Sequence, residues 1–157
     1  MKYLDTEIRK MEEVDLPMVM EIENLCFISP WTEKQFLYEM FENPFANLWV
    51  IELSNTSLGL KSVVGFVDYW QTFDSGTICQ IAIHPELQGN RIGSELLDEV
   101  IKDAYAKKIR TLTLEVRRTN EKAINFYEKF GFVYSHVKEG YYSDGEDALY
   151  MILEVKA

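Results

Sequence analysis

The stretch from Gly76 to Val116 constrains the fold more than any other part of the chain. GTICQIAIH is apolar on both faces except at Gln80, the pattern of a strand in the middle of a sheet. From about Arg91 the period changes. Ile92, Leu96 and Val100 form one apolar row with Leu97, Ile101 and Ala104 beside it, which is the stripe of an amphipathic helix. TLTLEV then alternates as a strand again, with Leu112, Leu114 and Val116 on one face and Thr111, Thr113, Glu115 and Arg117 on the other. Strand, long helix and strand in that order make a parallel crossover, which requires a sheet covered by helices.

The flanking segments fill in an α/β architecture. TEIRKM alternates as a first strand. Asp15 reads as a helix N-cap with Pro17 in the first turn, and Leu16, Val19, Ile22 and Cys26 follow at helical spacing. FISPW breaks that helix, and Thr32 with Gln35 forms a capping box opening a second helix through about Met40. NLWVIEL, SVVGFVDYWQ and GTICQIAIH read as an antiparallel meander, joined by SNTSLGLK and by a turn over Phe73–Gly76. After TLTLEV a short helix carries Ile124, Tyr127 and Phe130 and stops at Gly131. FVYSHVKEGYY and DALYMILEV flank Ser143-Asp144-Gly145 as a tight hairpin. The expected order is β-α-α-β-β-β-α-β-α-β-β around a mixed sheet, one domain over residues 1–157. A doubly wound dinucleotide fold is disfavoured, because no G-x-G-x-x-G occurs and the clear crossover comes late.

Composition narrows the function classes. No apolar run approaches the roughly 20 residues of a membrane span, and MKYLDTEIRKMEE lacks the apolar segment of a secretory signal. A cytoplasmic protein without membrane association is expected. Cys26 and Cys79 lie far apart in apolar contexts, which suits reduced thiols in or near the core. With only His84 and His136 beside them, no metal site is expected. A formal net charge of −10 argues against a general nucleic-acid binder and permits a basic partner such as a cationic peptide.

Four segments are candidates for chemistry, and each has a plain structural alternative. In IAIHPELQGNRIGSELL a strand gives way to a helix start, where unpaired N–H groups and the dipole favour an anion such as phosphate. Gly89 and Gly93 allow close backbone approach, and Asn90 or Arg91 adds donors; the alternative is an ordinary tight connection. Glu115 is either part of a solvated strand face or a general base bordering a cleft. Tyr127 is either a core phenol or one aimed at a reacting atom, and Asn120 is sufficiently explained as an N-cap. The aromatic loops FISPW and EGYYSDGED either cover the core or wall a peptide groove.

Taken together and in this order, these segments resemble the GNAT superfamily of acetyl-coenzyme A-dependent N-acetyltransferases. QGNRIGSELL resembles that superfamily's pyrophosphate motif, Q/R-x-x-G-x-G/A, except that Arg91 stands where the first glycine is usual. LEVRRTNEKAINFYEKFGF followed by YYSDGEDALYM, together with FISPWTEKQF, resembles the RimI branch, the ribosomal-protein-alanine N-acetyltransferases, and equally the related N-terminal acetyltransferase subunits. The resemblance covers nearly the whole chain. It implies a single GNAT domain that binds acetyl-coenzyme A and acts on a protein or peptide N-terminus, a ribosomal protein among them. It implies that Ile81, Ala82 and Ile83 pair with the pantetheine arm. Gln88, Gly89, Asn90, Arg91, Ile92, Gly93 and Ser94 hold the pyrophosphate, and Asn120 contacts the cosubstrate. It implies Glu115 as general base, Tyr127 as general acid, and Phe27, Pro30, Trp31, Tyr141 and Tyr142 as peptide-groove walls.

The chemistry is consistent with that assignment. Freeing a protein α-amine of its proton at pH 7 costs about 1.4 kcal/mol, against roughly 4.6 for a lysine side chain. One carboxylate meets the smaller demand. A phenol near pKa 10 is a weaker acid than a thiol near 8.5, so complete proton donation by Tyr127 is uphill by about 1.5 units. Acetylation of a lysine or of a small amine such as a polyamine is the alternative within the fold, and a non-catalytic acetyl-coenzyme A-binding module is the alternative outside it. Oligomeric state and auxiliary subunits are not legible.

Overall fold

The computed structural model describes residues 5–55 and 60–156. Thr56 to Gly59, the centre of the SNTSLGLK connection, lie outside the described residues. The strands are β1 (Thr6–Lys10), β2 (Ala46–Asn55), β3 (Leu60–Thr72), β4 (Ser75–Ile83), β5 (Thr111–Arg117), β6 (Val133–Lys138) and β7 (Ala148–Glu154). The helices are α1 (Leu16–Cys26), α2 (Glu33–Phe41), α3 (Ile92–Ala106) and α4 (Glu121–Lys129). The expected element order is found, with short 3-10 turns added at Glu13–Asp15 and Pro85–Leu87. The strands form a mixed seven-stranded sheet in the order β1-β2-β3-β4-β5-β7-β6, so β4 is central as its two-sided apolar pattern requires. The crossover is parallel: Ser75–Thr77 of β4 pair with Thr111–Thr113 of β5.

Two compact units are distinguished, Met1–Trp70 with Gln80–Val100, and Gln71–Cys79 with Ile101–Ala157. In the first, α1 buries Leu16, Val19 and Ile22 completely or nearly so, and α2 buries Phe36. Each such side chain contributes about 1.5–3 kcal/mol of transfer free energy as an upper figure. Phe36 meets Phe66 of β3 edge-on at 5.5 Å. The Thr32–Gln35 capping box forms as expected, with both reciprocal hydrogen bonds present. Gly65 is required by packing: a Cβ there would lie 2.9 Å from the Ala82 carbonyl oxygen and 2.5 Å from Ile83 Cδ1.

Asp15 departs from expectation. It holds the N-cap position of α1 but its side chain makes no cap there. Its carboxylate accepts instead from the Glu12 N–H at 2.7 Å and from both Arg9 amino groups at 2.8 and 2.7 Å. Arg9 also donates to Glu52 at 2.7 Å, tying β1 and β2 to the start of α1. A bidentate guanidinium is the stronger partner for a carboxylate that is nearly buried.

In the second unit, β5 alternates as read: Leu112, Leu114 and Val116 are buried, and the other face is half-buried. Antiparallel β7 lies between β5 and β6. The hairpin is wider than expected. β6 ends at Lys138 and β7 begins at Ala148, so residues 139–147 form a loop rather than strand ends around Ser143-Asp144-Gly145. A tight turn exists inside that loop with Ser143 and Asp144 at its centre, closed by the Gly145 N–H to the Tyr142 carbonyl at 2.9 Å. The physical reason is the set of side-chain anchors described next, which capture the loop's carboxylates and carry the chain out of strand geometry.

Candidate active site

Glu115 is the residue of β5 around which the second unit's polar face is organised. Its partner is one that local sequence does not signal. Lys138 Nζ donates to Glu115 Oε1 at 2.7 Å. Strand pairing explains the meeting: Glu115 pairs with Tyr150, Tyr150 with His136, and Lys138 follows two residues on, on the same face. The ammonium lies over the rings of Tyr150 and Tyr141, 4.8 and 5.4 Å from their centroids. The hydrogen bond to Glu115 raises the Lys138 ammonium above its ordinary value. Glu115 therefore holds a primary ammonium between two aromatic rings.

Two residues along β5, Arg117 anchors the 139–147 loop. Its guanidinium donates to Asp144 at 2.8 Å and to Glu146 at 3.0 Å, and lies 4.1 Å from the Tyr142 ring centroid. Glu146 also accepts from the Thr119 N–H at 3.1 Å and the Thr119 hydroxyl at 2.6 Å. Asp147 accepts from Arg118 at 3.2 Å and from the Gly140 N–H at 2.9 Å. The acidic run SDGED is thus fastened to RRT and is not a free negative patch. These bonds lower all three carboxyls: Asp144 chiefly through the Glu146 N–H, Glu146 through Thr119, and Asp147 through the Gly140 N–H. The anchored loop presents Tyr141 and Tyr142, packed edge to face at 5.1 Å. Arg117 was legible as a face-mate of Glu115. Its loop partners were not, because they depend on a contact across 27 and 29 residues of chain.

Tyr127 is buried on α4, edge-on to Phe132 at 5.6 Å and to Phe126 at 5.3 Å. Burial raises its phenol well above the ordinary value near 10, and Tyr142 adds to the rise. The Tyr142 phenol is itself pushed up to about 12, first by burial, against the opposing Arg117 and with Tyr141, Glu115 and Glu146 adding to it. Tyr142 is thus the residue that acts on Tyr127 on one side and feels Glu115 and Tyr141 on the other. Asn120 is the N-cap of α4, its Oδ1 accepting from the Ala123 N–H at 3.2 Å.

The other candidates lie in the first unit. Gly89 has φ 88° and Arg91 has φ 64°. Arg91 therefore adopts the left-handed backbone that a glycine at this place adopts without strain, at a cost of about 1–2 kcal/mol. The first intrahelical bond of α3 runs from the Glu95 N–H to the Arg91 carbonyl at 3.0 Å, so the amides of Ile92, Gly93 and Ser94 precede the ladder. A turn of this shape at the head of a helix of 15 residues fits a pyrophosphate group. Gln88 is exposed, and its Nε2 donates to the Ile83 carbonyl at 3.1 Å. Ile81, Ala82 and Ile83 end β4 beyond its short ladder with β5. Phe27 and Trp31 are half-buried, Pro30 is exposed, and Trp31 packs against Phe36 at 5.3 Å. Neither cysteine is in a disulfide, and both are half-buried. Among the described residues, no helix is long and apolar enough to cross a membrane.

A sheet of this order with an anion-suited helix start belongs to one class of enzyme. The family described as acetyltransferase (GNAT) matches residues 16–132, and the chain belongs to it. The protein is an N-acetyltransferase that uses acetyl-coenzyme A. A relative from Bacillus subtilis (strain 168) is 38% identical over 145 residues, covering 92% of both chains. The [ribosomal protein bS18]-alanine N-acetyltransferase of Escherichia coli (strain K12) is 32% identical over 151 residues, covering 94% of this chain and 97% of its own. The crystal structure of the ribosomal-protein-S18-alanine N-acetyltransferase from Escherichia coli superposes with a TM-score of 0.83 at 29% identity, over 98% of this chain and 96% of that one.

Proposed function

We propose that this enzyme acetylates the N-terminal α-amine of a protein, with the N-terminal alanine of ribosomal protein bS18 as the acceptor its relatives suggest. The observation that carries the reading is the Glu115–Lys138 contact. Glu115 receives a primary ammonium at 2.7 Å with aromatic rings on its sides. An acceptor α-ammonium has the same chemistry and a much lower cost of deprotonation than a lysine.

In this reading the chain is a single transferase domain acting in the cytoplasm. Bound acetyl-coenzyme A supplies the acetyl group as an activated thioester. The amides of Gly89 to Ser94, with Gln88 and Arg91, hold its pyrophosphate, and Ile81 to Ile83 with Asn120 line its arm. Glu115 takes the proton from the acceptor ammonium, directly or through water. Tyr127 keeps its own proton at neutral pH, because burial raises its phenol further above a thiol. It therefore serves as a hydrogen-bond donor to the leaving group rather than as a full acid. Tyr141, Tyr142, Phe27, Pro30 and Trp31 wall the acceptor path.

The test is acetyl transfer to matched peptides with free and blocked N-termini, beginning with a bS18-type Ala terminus and each carrying an internal lysine. Label on the free α-amine alone is expected. Label that survives blocking, or that appears on a polyamine in preference, overturns the reading.

A further inference from the structure

Glu23 lies on α1, one turn before FISPW, and is fully buried. Helical packing does not call for a carboxylate there, and burying one costs several kcal/mol unless its partners compensate. Compensation is partial. Oε2 accepts from the Trp31 N–H at 3.2 Å and from Gln80 Nε2 at 3.0 Å. Oε1 of Glu23 and Oε1 of Gln80 are buried and have no hydrogen-bond partner among the described residues. Burial pushes the Glu23 carboxyl up to about 7 against those two donors. One turn on, Cys26 Sγ donates to the Ile83 carbonyl at 3.3 Å, the same oxygen that receives Gln88. Two residues of α1 therefore reach β4, and one of them also holds the backbone of the FISPW loop. An apolar residue at 23 would fill the space and leave the Trp31 N–H and Gln80 unpaired. A half-satisfied buried group kept at such a junction is the kind of local cost that functional sites carry.

We infer that Glu23 is a positioning residue of the transfer reaction, fixing the Phe27–Trp31 wall to the strand that ends in Ile81–Ile83. The inference rests on the proposed reading, in which that wall faces the acceptor and that strand faces acetyl-coenzyme A. Glu23 touches neither substrate. It sets where the acceptor wall stands, so its loss acts on acceptor binding first.

The experiment is steady-state kinetics of the full chain, varying acceptor and acetyl-coenzyme A separately. Glu23→Ala is expected to raise the acceptor KM about tenfold and to leave the acetyl-coenzyme A KM within about twofold. Glu23→Gln keeps a carbonyl for the Trp31 N–H and offers an N–H to Gln80 Oε1, so it is expected to restore the acceptor KM to within about threefold of wild type. An unchanged acceptor KM in Glu23→Ala, or both KM values rising together, overturns the inference. A purely structural role would lower the melting temperature without that split. Should Glu23→Ala fail to fold, Gln80→Leu removes the β4 end of the link while leaving Glu23 in place, and the same split is expected of it; its absence counts equally against the inference. The acceptor is whichever amine the wild type acetylates. A wild type that labels only small amines defeats the N-terminal reading, while the KM split measured with that amine still decides Glu23.

Discussion

At the residue scale, the roles proposed for Glu115 and Tyr127 start from different observations. Glu115 has a partner, the Lys138 ammonium at 2.7 Å, and its role as base is a proposal drawn from that contact. Glu115→Gln is expected to lower turnover at pH 7 by about 10²-fold and to recover as the pH passes about 8, where the acceptor α-amine loses its proton unaided. A pH–rate profile parallel to wild type would remove Glu115 from the role of base. Tyr127 is buried and its phenol is raised, which strengthens its hold on the proton. Tyr127→Phe is expected to lower kcat by about tenfold or more, with acetyl-coenzyme A affinity within about twofold, as measured by turnover and calorimetry on the same preparations. Unchanged turnover would make Tyr127 a core residue only. Arg91 shows the limit of reading identity alone. A motif that calls for glycine is met by arginine in glycine's backbone conformation, with φ 64°.

At the element scale, the 139–147 loop is the largest departure from the sequence reading. Its sequence reads as a tight turn whose aromatics cover the core or wall a groove. Its acidic residues are fasteners to the end of β5, holding Tyr141 and Tyr142 in place. Because Asp144, Glu146 and Asp147 are lowered, their contribution is fully present above the ordinary carboxylate range near 4 and is lost as pH falls through the lowered values. The amide resonances of Gly140 and Thr119 should hold their positions from pH 7 down to about 4 and move together below it. Titration of either at a higher pH would show that the anchors are not formed. Glu146→Gln should remove the pH response of the Thr119 amide and leave that of Gly140, which Asp147 holds. The cap pairs behave differently from the loop. Thr32–Gln35 and Asn120 were legible because a capping box is decided within one turn of chain.

At the scale of the whole molecule, buried carboxyls on the first unit's elements make stability depend on pH. Asp68 on β3 is fully buried, and neither of its oxygens meets a donor among the described residues. Burial, and then the neighbouring Glu39 carboxylate, push its carboxyl up to about 9. Protonated, it donates to Glu39, which already accepts from Trp70 Nε1 at 2.6 Å and Asn43 Nδ2 at 2.8 Å. The folded chain keeps this proton where the unfolded chain has lost it. The stability it gives is fully present below the unfolded value of 3.8 and falls as the pH rises toward about 9. Glu23 slopes the same way, over a narrower window ending at about 7. Asp68→Asn should therefore raise the urea midpoint at pH 8, by about 2–4 kcal/mol in unfolding free energy, and change it little at pH 4. A variant equally destabilised at both pH values would mean that Asp68 is ionised and paired.

Element order, the parallel crossover, the central place of β4 and the alternation of β5 were all fixed by periodicity. Burial of one face leaves a local trace in the spacing of apolar residues. So did the capping signals, the glycine-bearing turn before α3, and the company that Glu115 and Tyr127 keep along the chain. Tertiary structure alone decided who meets whom. Lys138 reaches Glu115 only because β7 pairs between β5 and β6. The SDGED carboxylates find Arg117, Arg118 and Thr119 only once the loop folds back, and Glu23 finds Gln80 only when α1 packs on β4. The reason is physical: an ion pair or a buried hydrogen bond is set by distance in space, and nothing in the spacing of residues along the chain records it.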